Sequence, residues 1–192
     1  MKTRTLGENG FEVGEIGLGC WQLGGVDFGP LDAEEAHHIL LAARDSGSNF
    51  FDTANVYGAG RSEELIGRFL RDHGPGITVA SKTGREVYPD GYSEANLRKS
   101  ILDTNEKLGL ECLDLLQLHC IPHEVLQEGA IFDWLRGLKS EGLIKEFGAS
   151  VESVEEGLTC LAHEDLLSLQ VIFNPLRQKL VEELLPRAAE GG

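Results

Sequence analysis

Six short apolar runs, each followed by a stretch whose apolar residues recur at helical spacing, constrain this chain more than any other feature. The runs fall near residues 16–20, 49–51, 77–81, 113–118, 143–149 and 167–173. Helical patterns between them are well marked. Asp32 and Glu35 form a capping-box pair ahead of Ala36, Ile39, Leu40 and Ala43 at i, i+3, i+4 and i+7. Ser62 reads as an N-cap before Leu65, Ile66, Phe69 and Leu70, and Ser93 opens a helix carrying Leu97, Ile101, Thr104 and Leu108. A helix over 125–139 turns Ile131, Leu135 and Leu138 inward, Ser153 and Glu156 form a second capping box, and a last helix covers 180–189, with Gly191 and Gly192 as its C-cap. Alternation of strand and helix patterns predicts βαβ units and a parallel sheet. Residues 1–14 stand apart as a hairpin around Gly7–Gly10, placed to cover the bottom of a barrel.

A polar residue stands where each of the first five runs ends: Trp21, Asp52, Lys82, His119 and Ser150 in turn. From Asp52 onward they are spaced about one βα unit apart. Each crossover returns the chain to the same end of the sheet, so these positions converge at the C-terminal ends of the strands, where such folds do their chemistry. Tyr57 belongs to the same end, on the glycine-rich loop just past Asp52. Each residue also has a bland reading. Asp52 and Lys82 suit a structural ion pair, Trp21 and Tyr57 suit packing, and His119 alone suits a hydrogen-bonded core histidine. His119, Cys120 and His123 in HCIPH lack carboxylates at matching spacing, so no metal site is expected.

Composition narrows the class. There are 192 residues, 41% hydrophobic, with no tract long enough to cross a bilayer, so a single domain over 1–192 and a cytoplasmic setting are expected. The four cysteines show no CxxC spacing and are read as reduced thiols. A formal charge of −15 repels polyanions, which excludes nucleic acid and anionic membranes as expected partners; an anionic cofactor needs local backbone N–H groups and cations.

The segments LGENGFEVGEIGLGCWQLGG, FDTANVYGAGRSEELIG, SKTG, LDLLQLH and LKSEGLIKEFGAS, in this order, resemble the aldo-keto reductase superfamily over essentially the whole chain. The resemblance implies a (β/α)8 barrel of TIM type that uses NADPH, less often NADH, to reduce aldehydes and ketones. Carried over by position, the catalytic tetrad is Asp52, Tyr57, Lys82 and His119, with Tyr57 as proton donor. Gly19, Trp21, Asp52, Ser150 and Gln170 would line the cofactor, the last two at its carboxamide, and Trp21, Tyr57 and His119 the small carbonyl substrate. Lys82 is expected to favour the phenolate of Tyr57, Asp52 to hold Lys82, and His119 to donate to the carbonyl oxygen.

Only about six of the eight βα units are present, so the expectation is a barrel lacking its last two units, either part of a longer chain or covered at its open edge by a partner chain. Two other functions compete with reduction: a non-catalytic NADPH sensor or inactive truncated form, and a Schiff-base aldolase acting through Lys82.

Overall fold

The computed structural model describes residues 1–7 and 10–191. Strands β1 (Thr3–Thr5) and β2 (Glu12–Gly14) pair antiparallel as the expected hairpin. Its turn falls partly on Glu8 and Asn9, which lie outside the described residues. The Asn49 side chain ties the hairpin down, accepting from the Gly14 N–H at 2.7 Å and donating to the Glu12 carbonyl at 2.9 Å.

Six parallel strands follow in sequence order: β3 (Leu18–Gly19), β4 (Phe50–Asp52), β5 (Thr78–Thr83), β6 (Leu113–His119), β7 (Ile144–Val151) and β8 (Ser168–Val171). They form a curled half-barrel, with β3 and β8 at its two edges. Helices α1 (Ala33–Asp45), α2 (Arg61–His73), α3 (Glu94–Leu108), α4 (His123–Glu128), α5 (Ala130–Ser140), α6 (Val154–Leu161) and α7 (Leu184–Glu190) fill the crossovers and the end of the chain. Side chains alternate across a strand, so one sheet face belongs to the helices and the other to the interior. The helix face carries the main apolar core, in which Phe51, Val79, Leu116, Leu118, Phe147 and Ala149 pack against Leu40, Ile66, Phe69, Ile101 and Leu135. The strand residues on that face are largely apolar, as expected where a parallel sheet is covered by helices.

Several elements differ from expectation for local reasons. Asp32 caps α1 through the N–H groups of Glu34 and Glu35, without a return bond from Glu35. Ile39 is 39% exposed, while Ala36 and Leu40 are buried. Ser62 is not an N-cap: α2 starts at Arg61 from Gly60, held at φ 94°, and Ser62 is fully buried inside the first turn. Its hydroxyl donates to the Cys20 carbonyl and accepts from Thr53, both at 2.8 Å, so tertiary partners replace the capping bond. The single helix expected over 125–139 is two, because Gly129 at φ 78° separates α4 from α5. A 3-10 turn, Lys179–Val181, precedes α7, so the last helix is shorter than expected. Gly191 closes α7 in a right-handed conformation, not as a left-handed cap, and Gly192 lies outside the described residues. Ser93 and the Ser153–Glu156 capping box occur as read.

Candidate active site

Strand register assembles the site. Gly19 pairs with Asp52, Asp52 with Ala80, Lys82 with Gln117, His119 with Ser150, and Ser150 with Gln170. Paired residues of a parallel sheet share a face, as do residues two apart on one strand. Gly19, Asp52, Lys82, His119, Ser150 and Gln170 therefore all face the interior, at the C-terminal ends of their strands. The intervening Phe51, Ser81, Leu118 and Ala149 face the helices.

Lys82 is the hub. It is 1% exposed, and its ammonium donates to Asp52 Oδ2 at 2.7 Å, to the Thr53 carbonyl at 2.9 Å and to the Tyr57 hydroxyl at 3.5 Å. Its Nζ also lies 5.2 Å from the centre of the Tyr57 ring. Asp52 Oδ1 accepts from Gln117 Nε2 at 3.3 Å. Tyr57 lies between two other rings: His119 stands edge-on to it with centroids 5.9 Å apart, and Trp21 stacks on it, also at 5.9 Å. Trp21 in turn donates Nε1–H to Asp27 and meets Phe28 in a T-shaped contact at 5.1 Å.

Two glycines fix the loop that carries Tyr57. A Cβ on Gly24 would lie 2.7 Å from the Gly58 nitrogen and 2.9 Å from the Tyr57 carbonyl carbon, and one on Gly58 would lie 2.4 Å from the Gly24 carbonyl oxygen. Gly58 also holds φ 59°, a conformation that costs other residues energy. The chain after Trp21 and the chain after Tyr57 thus touch backbone to backbone.

The electrostatics correct one expectation. Burial, and after it the Asp52 carboxylate, pushes the Tyr57 phenol up to about 12. The ammonium is closer to Asp52 than to Tyr57, so the carboxylate neutralises most of the charge the phenol would feel. Tyr57 therefore holds its proton at neutral pH. Burial, and after it the Lys82 and Arg85 charges, lowers the His119 imidazole to about 4, so it is neutral there too. His119 Nδ1 is buried without a hydrogen-bond partner among the described residues.

Gln117 and the Thr53 carbonyl were not anticipated as supports of the Asp52–Lys82 pair. Gln117 left a signal in the sequence, as a polar residue inside an apolar run, two positions before His119 and so on its face; a backbone carbonyl leaves none. His123, the second imidazole of HCIPH, bonds Thr159 at 2.8 Å. Cys20 is fully buried in the core, and Cys120 Sγ lies 3.7 Å from Ser150 Oγ.

A parallel half-barrel thus gathers an acid, an amine, a phenol and an imidazole at one end of its strands. The profile described as Aldo/keto reductase family matches residues 15–192, and the chain belongs to that family. It is 27% identical over 196 residues to the Bacillus subtilis aldo-keto reductase YhdN, covering 99% of this chain and 59% of that protein. An aldo-keto reductase structure from Pseudomonas aeruginosa superposes with a TM-score of 0.85 at 32% identity, covering 98% of this chain and 74% of that one. One from Klebsiella pneumoniae, solved in complex with NADPH, gives 0.81 at 25% identity, over 100% and 66%. The chain spans less than two thirds of the length of YhdN.

Proposed function

We propose that the protein carrying this chain reduces aldehydes or ketones to alcohols, with NADPH as hydride donor and Tyr57 as proton donor. The observation that carries the reading is the Lys82 ammonium placed 3.5 Å from a protonated Tyr57 hydroxyl, with the neutral His119 ring edge-on to the same phenol.

The interior face suits a nicotinamide. A Cβ built on Gly19 meets no atom within 4 Å, which leaves room for a flat ring against the backbone. Ser150 and Gln170, register partners on that face, carry the hydroxyl and amide that would hold a carboxamide. The Klebsiella relative crystallised with NADPH supports this choice of cofactor. Bound there, NADPH supplies the hydride to the carbonyl carbon. Tyr57 gives its proton to the oxygen as negative charge develops, and the Lys82 N–H stabilises the phenolate left behind. Asp52, bonded to both Lys82 and Gln117, positions the amine. Neutral His119 offers the carbonyl oxygen one N–H and has no spare proton to give. A Schiff-base role for Lys82 is disfavoured, because its N–H bonds are committed to Asp52, Thr53 and Tyr57.

Tyr57→Phe in the full-length protein tests the proposal. It keeps the ring and its contacts and removes only the transferable proton. Turnover of a panel of aldehydes, followed by NADPH absorbance, should fall by about 10²–10⁴ in kcat/KM, with NADPH affinity unchanged. Tight NADPH binding by the unmodified protein with no turnover of any aldehyde would refute reduction and favour the sensor reading.

A further inference from the structure

We propose that His37 and His73 form a two-imidazole site for a divalent transition metal, such as zinc, cobalt or nickel, that bridges α1 and α2. The site is separate from the strand-end residues described above, and the proposal does not rest on the reductase reading. Their Nε2 atoms are 3.2 Å apart and share a hydrogen bond, one ring donating its N–H to the other, so a metal would replace that proton between them. Two imidazoles that share one tetrahedral metal, each at about 2.0–2.1 Å, hold their nitrogens about 3.3 Å apart, so the pair already has the separation of a shared metal. The ring centroids are only 5.0 Å apart and the planes are inclined by 37°, so the rings meet at an angle and not end to end.

The surroundings hold this geometry. Phe69 packs against both rings, with centroids at 5.6 Å from His37 and 4.4 Å from His73, which limits their rotation. The Arg44 guanidinium lies 5.8 Å above the Phe69 ring, with the Asp45 carboxylate 2.9 Å from it to offset its charge. His73 is the last residue of α2, at the negative end of the helix dipole, and the formal charge of −15 adds a field that attracts cations. Both histidines are half-buried, so water can complete the coordination sphere. No group of three or more His, Cys, Asp or Glu side chains suited to a metal occurs among the described residues. The site is therefore a two-ligand clamp between helices, weaker than a closed structural zinc site, and its imidazole donors favour borderline metals over calcium or magnesium.

Calorimetric titration of untagged, metal-stripped full-length protein with zinc chloride, repeated with cobalt, tests the site in the unmodified protein and in His37→Ala and His73→Ala. The expected result is one metal per chain, bound at least tenfold more weakly by either variant. Zinc at a hundredfold excess over its Kd should raise the melting temperature of the unmodified protein by about 5 °C, and of neither variant. Circular dichroism and NADPH-linked turnover should match across the three proteins, since neither histidine touches the strand-end site. Absence of binding by the folded unmodified protein would overturn the proposal. So would equal binding by all three, which would assign the metal to other groups such as Cys112 and Cys120.

Discussion

Lys82 shows what burial demands of a single residue. An ammonium that is 1% exposed survives only with its hydrogens bonded, and Asp52, Thr53 and Tyr57 supply the acceptors. The same burial acts on His119 with the opposite result, since no carboxylate is bonded to the ring. That asymmetry has a pH signature. The unfolded chain takes up a proton on His119 near its ordinary 6.5, the folded chain only near 4, so between these values the unfolded state binds more protons. Stability should therefore be intact above about pH 6.5 and fall by about 3 kcal/mol as the pH drops through 4. His119→Gln should shrink this acid limb in urea titrations run from pH 7 to pH 4. The strand-end polar residues were readable because each breaks an apolar run at the same point of its unit. The protonation of Tyr57 was not readable, because it depends first on how deeply the phenol is buried and then on the nearness of the Asp52 carboxylate, and neither burial nor distance is written in a sequence.

Among the elements, strand existence and order were legible, since long apolar runs separated by helical periodicity admit few other folds. Ends and caps were less so. Ser62 has the residue type of an N-cap, but the strand ends beside it offered Cys20 and Thr53 as partners, and those long-range bonds cannot be seen in a local pattern. Gly129 lies within an apolar helical pattern, and only its left-handed φ shows that the helix must break there. The contact between Gly24 and Gly58 was equally hidden, and it joins two loops that the site uses together. Gly24→Ala should force the Tyr57 loop away from Trp21. The expected outcome is a loss of about tenfold or more in kcat with little change in NADPH affinity, because misplacement of the proton donor affects the chemical step. Stopped-flow hydride transfer together with fluorescence titration of NADPH would separate the two effects.

At the scale of the whole molecule, the half-barrel ends in β8, whose outer edge pairs with no other strand among the described residues. Just beyond it, Ile172, Phe173 and Leu176 are 50%, 54% and 98% exposed. An unpaired strand edge beside exposed apolar side chains invites association. The 192-residue chain expressed alone should therefore sediment as oligomers whose proportion grows with concentration, and Ile172→Lys with Leu176→Lys should shift it toward monomer. The pairing of β4, β5 and β6 has a further bearing on the site. Sliding β5 by one residue would swing the Lys82 amine out among the helices and bring in the hydroxyl of Ser81 or Thr83. Asp52 would then face no cation, and the phenol no amine. Catalysis in such a protein would thus serve as an assay for misthreaded folding: a molecule that turns over substrate has its central strands aligned to the residue.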